Sequence, residues 1–291
     1  MSTKVPRTRR AVVTGASGFI GSRLVHALRR DGWTVLTVSL ATAGTASQLS
    51  RRLAQFGPGV VFHLGGPTGD DADVVPAVLE TTERLLAAVA RLTVRPRLVI
   101  MSSSAVYGDR GPRVAITEDM PSRPHSYYAV SKILLEALAG RAAIAHALDV
   151  VVARPFNVFG PGQPSHRVPA AFAAKLAAVA EGHATRLNVR NLDAYRDFVD
   201  VRDVVSALRV LAERGRSGTV YNISSGRAVR LRSALTTLVR RAGLRPEVIE
   251  HPDGEVRGQV GHAGRLRALG WRPVVSLRQS LDDLYAEHLP Q

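Results

Sequence analysis

Residues 11–21 read AVVTGASGFIG, an apolar run that ends in a turn with glycines at Gly15, Gly18 and Gly21. An amphipathic pattern begins directly after the turn, so the turn joins a predicted strand to a predicted helix. Glycines at this spacing permit a tight turn, let backbone N–H groups approach a diphosphate, and let the helix pack closely on the sheet. The sequence therefore predicts a dinucleotide-binding turn, with an ordinary strand–helix turn as the alternative.

The rest of the first half repeats this alternation of short apolar runs and longer helical patterns. The runs are continuously apolar, which indicates strands buried on both faces, and the helical patterns have apolar residues at three- and four-residue spacing. We predict strands at residues 11–14, 34–38, 60–64, 97–101 and 150–153, and helices at residues 20–30, 74–91 and 127–148. The pattern predicts an α/β fold with a Rossmann-type, doubly wound parallel sheet.

The alternation of strand and helix patterns stops at residues 155–164, PFNVFGPGQP, whose proline and glycine content predicts a loop. Beyond it we predict helices at residues 169–181, 201–213, 231–242 and 277–288, and a strand at residues 220–223. We therefore expect a dinucleotide-binding domain over residues 1–155, to which some later segments return. A smaller mixed α/β substrate lobe is expected over residues 156–291.

The amino-acid composition excludes some functions for this chain and disfavours others. The 291 residues include no cysteine, which excludes disulfides and thiolate catalysis, and neither a secretion signal nor an apolar run of roughly 20 residues is visible. We expect a soluble, cytoplasmic protein that does not bind a membrane. The net charge of +15 comes from scattered arginines, which favours attraction of phosphorylated small molecules over nucleic-acid binding. The nine histidines lack paired spacing, so we expect no metal site.

The predicted second strand ends at Ser39. A carboxylate at this point normally accepts hydrogen bonds from the adenosine ribose of NAD and repels the 2′-phosphate of NADP. The serine therefore favours NADP(H), with NAD(H) as the alternative. Arg51 and Arg52 follow, but their separation from Ser39 in sequence leaves their position open.

Tyr128 and Lys132 are four residues apart at the start of a predicted helix, hence on one face. A phenol with a pKa of about 10 is a poor acid–base catalyst at neutral pH, but a nearby ammonium favours its phenolate. Tyr127 has Ser131 at the same spacing, so Tyr128 is the better catalytic candidate; a structural aromatic residue is the alternative. Upstream, the fourth strand runs into a serine cluster at residues 102–104, where a hydroxyl is available to bind a substrate oxygen, although such clusters are more often turns.

Together these motifs resemble the extended short-chain dehydrogenase/reductases, the family of nucleotide-sugar epimerases, 4,6-dehydratases and 4-ketoreductases. The matching segments cover nearly the whole chain: TGASGFIG at residues 14–21, SSSAVYG at 102–108, YAVSK at 128–132, RPFNVFGPGQ at 154–163, YRDFVDVRDVV at 195–205 and LGWRP at 269–273. The resemblance implies hydride transfer at a sugar carbon, a nucleoside-diphosphate sugar as substrate, and a homodimer.

The resemblance also implies residue roles. The family's catalytic residues fall on Ser103, Tyr128 and Lys132. Its cofactor contacts fall on Gly15, Ser17, Gly18, Phe19, Ile20, Gly21, Ser39, Leu64, Gly65, Gly66, Tyr128, Lys132 and Pro155. Its sugar-nucleotide contacts fall on Ser104, Asn157, Arg196 and Arg257, with surface salt bridges as the alternative for the two arginines. Gly65 and Gly66 depart from the pattern, since an alanine pair usually follows the His63-Leu64 motif.

Departures from the family pattern also indicate which of the family's reactions this chain is expected to catalyse. Dehydratases carry an acidic pair after the catalytic hydroxyl, where this chain has Ser104 and Ala105, so dehydration is disfavoured. Residues 154–163, 188–204 and 224–229 are similar to GDP-4-keto-6-deoxymannose reductases in particular. With Ser39, this predicts an NADPH-dependent 4-ketoreductase of deoxysugar biosynthesis. A 4-epimerase that retains NAD is the alternative, and a non-catalytic dinucleotide-binding regulator is disfavoured by the intact catalytic set.

Overall fold

A computed structural model of the chain describes residues 8–67, 69–251 and 258–288. The strands are β1 (Arg10–Thr14), β2 (Thr34–Val38), β3 (Val60–His63), β4 (Arg97–Met101), β5 (Ala115–Ile116), β6 (Val150–Pro155), β7 (Asn157–Phe159), β8 (Arg186–Arg190), β9 (Tyr195–Arg196), β10 (Phe198–Asp200), β11 (Thr219–Ile223), β12 (Val229–Arg230), β13 (Glu247–His251) and β14 (Gly258–Gly261). The helices are α1 (Phe19–Arg30), α2 (Ala46–Phe56), α3 (Val74–Ala90), α4 (Tyr127–His146), α5 (Ala170–Ala180), α6 (Val201–Arg214), α7 (Leu231–Ala242), α8 (Gly264–Ala268) and α9 (Leu277–Ala286).

The main sheet has six strands in the order β11-β6-β4-β3-β1-β2. The pairs β1–β2, β1–β3, β3–β4 and β4–β6 are parallel, which confirms the predicted α/β fold with a Rossmann-type sheet. The chain builds β2 on one side of β1 and then returns to place β3 on the other side. Ligands of open α/β sheets bind at such a switch point, beyond the carboxyl ends of the strands. The turn after β1 and the loop after β3 border it.

Two predictions need correction. We predicted no helix between β2 and β3, yet α2 lies there, capped by a reciprocal pair in which Thr45 Oγ1 accepts the Gln48 N–H and Gln48 Oε1 accepts the Thr45 N–H. The predicted loop at residues 155–164 was also wrong in part, because it contains β7, which pairs with β10 in parallel. Burial explains this short strand: the Phe159 ring is buried, with its centre 5.2 Å from that of Phe198.

The described residues fall into two compact units. The first contains residues up to 106, residues 122–154 and residues 205–221; the second contains residues 107–121, residues 155–204 and the described residues from 222 onward. Each unit has a hydrophobic core, the first around strands β1, β3, β4 and β6 with α3 and α4, the second around α5, α7 and α9. Among the helices that the structure describes, none is both long and apolar enough to cross a membrane.

A bidentate ion pair joins α4 to the sheet. Arg154 at the end of β6 donates from Nε to Glu136 Oε1 at 2.8 Å and from Nη2 to Oε2 at 2.5 Å. The two side chains are only 9% and 14% exposed. A buried pair of this kind holds geometry strongly once formed, because either charge left alone would be desolvated and unpaired.

Removing one partner should therefore destabilise the protein. We expect Arg154→Met to lower the free energy of unfolding by about 3 to 5 kcal/mol, and Glu136→Leu added to it to restore part of that loss, because no charge is then left buried. Urea unfolding of the single and double variants measures both values. A double variant less stable than Arg154→Met would contradict this account.

Candidate active site

The turn after β1 is built from close backbone contacts. Gly15 has φ +69°, and a Cβ placed on it would lie 2.6 Å from the Cα and N of Gly65. A Cβ on Gly21 would lie 2.0 Å from the Gly15 carbonyl oxygen. The N–H of Gly18 donates to that same oxygen at 3.1 Å, and no side chain in the described structure caps α1. The first N–H groups of α1 are thus available to an anion.

The loop after β3 lies against this turn. The Leu64 N–H donates to the Thr14 carbonyl oxygen at 3.3 Å, and the Gly65 N–H to Thr14 Oγ1 at 3.3 Å. A Cβ on Gly65 would lie 3.0 Å from the Gly15 nitrogen, and Gly66 has φ +150°. The glycine pair that departs from the family's alanine pair is therefore suited to this backbone, because the first position is crowded and the second is strained for an L side chain.

These two segments and the end of β2 line a cavity of about 400 Å³. Its lining residues are Thr14, Gly15, Ala16, Ser17, Thr37, Val38, Ser39, Leu40, Ala41, Gly65, Gly66, Pro67 and Thr81. The volume is within the range of small-molecule sites, and none of the described residues that line it is a carboxylate. The cavity brings together five of the predicted cofactor residues, and its glycine backbone fits the diphosphate and adenosine of a dinucleotide.

A buried histidine connects the turn to the loop. His63 Nδ1 lies 2.8 Å from Thr14 Oγ1, and Nε2 lies 3.2 Å from Thr82 Oγ1. Burial, with a smaller contribution from the charge of Lys132, lowers the pKa of His63 to about 3, so the ring is neutral. The ring thereby fixes the Thr14 hydroxyl that receives the Gly65 N–H. Sequence analysis missed this trio; the available signal was polar residues at the ends of apolar strands.

Tyr128 and Lys132 lie in the first turns of α4. Ser126 Oγ accepts the Ala129 N–H at 3.1 Å and Asp70 Oδ1 accepts the Tyr128 N–H at 3.2 Å, so the start of the helix is held on two sides. The Nζ of Lys132 lies 5.4 Å from the centre of the Tyr128 ring. Asp70, like the histidine, was not predicted from the sequence.

Lys132 is only 4% exposed, and burial lowers its pKa to about 8. Its ammonium lies beside the loop after β3, since a Cβ on Gly66 would lie 3.7 Å from Nζ. Burial of a cation is costly, and a polar ligand beside the ammonium would reduce that cost. Its position beside Gly66 points to a ligand that also contacts the loop after β3.

Ser103 follows β4 at the same carboxyl edge of the sheet. The register pairs Thr14 with His63 and His63 with Ile100, so the ends of β1, β3 and β4 are level. Ser103 is half-buried, and its Oγ accepts the Ala105 N–H at 3.1 Å as a 3₁₀ turn begins at the buried Ser104.

Of the other predicted cofactor residues, Phe19 and Ile20 are the first two residues of α1, and Pro155 is the last residue of β6. Within the described ranges, no group of three or more His, Asp or Glu side chains is placed to hold a metal.

In the second unit, Asn157 and Arg196 lie next to a buried aspartate, Asp197. The backbone N–H and the Nδ2 of Asn157 donate to the Asp197 carbonyl oxygen, at 3.0 and 3.3 Å. The Asp197 side chain is fully buried and accepts from Ser225 N and Oγ at 2.8 and 2.6 Å, and from Gly226 N and Gly261 N at 2.9 Å. Burial raises the pKa of Asp197 despite these donors. The prediction for Arg257 lies outside the described residues.

The chain is similar in sequence and in fold to known proteins. The sequence profile of the NAD dependent epimerase/dehydratase family matches residues 11–224. GDP-6-deoxy-D-mannose reductase of Pseudomonas aeruginosa is 34% identical, covering 94% of this chain and 95% of that protein. dTDP-6-deoxy-L-talose 4-dehydrogenase (NAD(P)(+)) of Kitasatospora kifunensis is 31% identical, covering 95% and 94%. The structure of RMD from Pseudomonas aeruginosa complexed with NADPH has a TM-score of 0.87 at 32% identity, covering 97% of this chain and 99% of that chain.

The contact between Gly15 and Gly65 yields a test of the cavity. Alanine at Gly15 would overlap the Gly65 backbone and displace the loop, so we expect Gly15→Ala to raise the Kd for a reduced nicotinamide dinucleotide about tenfold or more. Gly57 is a matched control, because it also has positive φ, +62°, but no atom within 4 Å of an added Cβ.

Both variants should lose about 1 to 2 kcal/mol of stability from the strained φ, and Gly15→Ala should lose more because of the overlap, but only Gly15→Ala should lose cofactor affinity. Fluorescence titration with NADPH and with NADH, alongside urea unfolding, separates the two effects. Equal affinities in Gly15→Ala and Gly57→Ala would argue against the cavity as the dinucleotide site.

Proposed function

Because this chain belongs to the NAD dependent epimerase/dehydratase family, we propose that it reduces the 4-keto group of a nucleoside-diphosphate 4-keto-6-deoxyhexose. The reductant is a nicotinamide dinucleotide. The observation that carries this proposal is the buried ammonium of Lys132 beside the Tyr128 ring, in a chain whose similarity to a GDP-6-deoxy-D-mannose reductase spans 94% of its length. In this arrangement Lys132 would bind a cofactor ribose, and Tyr128 would exchange a proton with the substrate at the same place.

Three side chains of the first unit would perform the proton chemistry. When bound, a dihydronicotinamide supplies the hydride that reduces the carbonyl carbon. The Tyr128 hydroxyl donates its proton to the carbonyl oxygen, and the Ser103 hydroxyl holds that oxygen by a hydrogen bond. The Lys132 ammonium binds the nicotinamide ribose and lowers the pKa of the phenol by its charge. The turn with Gly15 and Gly18 would hold the diphosphate.

We infer that NADPH is preferred to NADH. Ser39 replaces the carboxylate that would repel a 2′-phosphate, and no acidic side chain is found among the described lining residues. The net charge of +15 favours the more highly phosphorylated dinucleotide. The solved relative complexed with NADPH supports the same choice.

Two residues of the second unit would contact the sugar nucleotide. Arg196 supplies a cation for the diphosphate, and Asn157 supplies an amide beside it; both flank Asp197, whose four hydrogen bonds fix the local backbone. The relatives act on GDP- and dTDP-linked sugars, so the base is left open. The roles of Ser104, Pro155 and Arg257 and the homodimer stay predictions.

A direct assay tests the reaction. We expect the purified enzyme to oxidise NADPH in the presence of GDP-4-keto-6-deoxymannose or dTDP-4-keto-6-deoxyglucose, giving one 6-deoxyhexose product per NADPH consumed. Loss of NADPH absorbance and chromatography of the product measure both quantities. Interconversion of two nucleoside-diphosphate hexoses without added cofactor, and without net NADPH oxidation, would indicate a 4-epimerase instead.

The role of Tyr128 has a matched control in its neighbour Tyr127, which is 53% exposed. We expect Tyr128→Phe to lower kcat by roughly a hundredfold or more, because the proton donor is lost, while the Kd for NADPH stays nearly unchanged. Tyr127→Phe should keep kcat near the wild-type value. Steady-state kinetics and NADPH titration of both variants measure this, and an unchanged kcat in Tyr128→Phe would remove Tyr128 from the mechanism.

A further inference from the structure

The outer edge of the main sheet brings an arginine to the proposed adenosine end of the cavity. Strand β2 is the last strand in the sheet order, so it has no neighbour beyond it. Helix α2 carries Arg52, whose Nη2 donates to the Thr37 carbonyl oxygen of β2 at 3.4 Å. Thr37 belongs to the lining of the cavity. The guanidinium therefore lies at the rim of the proposed cofactor site, although it follows β2 by 14 residues.

Ser39 lies within reach of the same guanidinium. It is exposed, it also lines the cavity, and it follows Thr37 by two residues. A strand rises about 3.3 Å per residue, so Ser39 lies roughly 7 Å beyond Thr37. An exposed arginine covers such a distance by changing rotamers, because its side chain is long and its hydrogen bond to Thr37 is weak at 3.4 Å.

In the part of the chain that the structure describes, Arg52 has no carboxylate within ion-pair distance. Arg84 differs: its Nη1 donates to the Leu40 carbonyl oxygen at 2.8 Å, its Nη2 is paired with Glu80, and its side chain is 21% exposed. Arg84 thus braces the backbone after β2 with its charge already balanced, whereas Arg52 keeps a net positive charge at the rim.

We propose that Arg52 recognises the 2′-phosphate of NADPH and sets the preference for NADPH over NADH. A guanidinium binds a phosphate dianion through charge-assisted, often bidentate hydrogen bonds, and NADH has only a hydroxyl at that place. The inference rests on the NADPH-dependent reaction proposed above and goes further, because it assigns selectivity to one residue of α2. Ser39 makes room for the phosphate and Arg52 attracts it.

The test compares Arg52→Gln with Arg51→Gln. Arg51 is the preceding residue of the same helix, is equally exposed and carries the same charge, but it points about 100° away around the helix axis. The probes are NADPH, NADH, and two fragments, adenosine 2′,5′-bisphosphate and ADP. Titration calorimetry gives the Kd for each probe, and thermal unfolding verifies that both variants fold like the wild type.

We expect Arg52→Gln to raise the Kd for NADPH and for adenosine 2′,5′-bisphosphate about tenfold, while the Kd values for NADH and ADP change less than about twofold. Arg51→Gln should leave all four values within about twofold of the wild type. With NADPH the wild-type affinity should also fall with added salt more steeply than that of Arg52→Gln.

Two results would overturn the inference while leaving the proposed reaction intact. One is a wild-type preference for NADPH that Arg52→Gln does not reduce. The other is an equal reduction by Arg51→Gln, which would assign the effect to the general surface charge. A wild-type enzyme that binds NADH as tightly as NADPH would overturn the inference and the NADPH preference together, and ketoreduction with NADH would then stand by itself.

Discussion

A contact between two backbone segments, at Gly15 and Gly65, constrains the proposed cofactor site. Strands β1 and β3 are parallel neighbours, and the loops that follow them separate at the switch point of the sheet. Because neither residue has a Cβ, the loops approach within backbone distance, and the carbonyl and hydroxyl of Thr14 bond to successive N–H groups of the facing loop. The width of the cavity is thus set by backbone atoms, which do not change rotamer when a ligand arrives.

The electrostatics of His63, beside this contact, favour a structural role for that residue over proton transfer. The pKa of about 3 keeps His63 neutral through the neutral and mildly acidic range, so it is a poor source of protons at physiological pH. Both of its ring nitrogens are already engaged by threonine hydroxyls. Protonation would also place a second buried cation near Lys132. These properties give His63 a structural role, and the proposed proton donor remains Tyr128.

The sequence predicted the features that depend on local spacing. The strands β1 to β4 followed from apolar runs, the glycine turn from its position between strand and helix, and the Tyr128–Lys132 pair from helical periodicity. Helix α2 was missed although its start signal was present, since Thr45 and Gln48 form a capping box. The position of Arg52 was open for the same reason, because only the helix returns it to Thr37, 15 residues earlier in the chain.

The second unit shows what spacing does not encode. The resemblance to a family pointed to Asn157 and Arg196, but it did not predict that Asp197 organises the backbone around them. The donors to its buried carboxylate come from residues 28, 29 and 64 positions later in the chain, and a buried carboxylate requires several of them at once to remain in place. The turn at Gly15 depends on the absence of side chains, so glycine spacing in the sequence predicts it. The backbone around Asp197 depends on donors that are far apart in the sequence, so it is seen only in the folded structure.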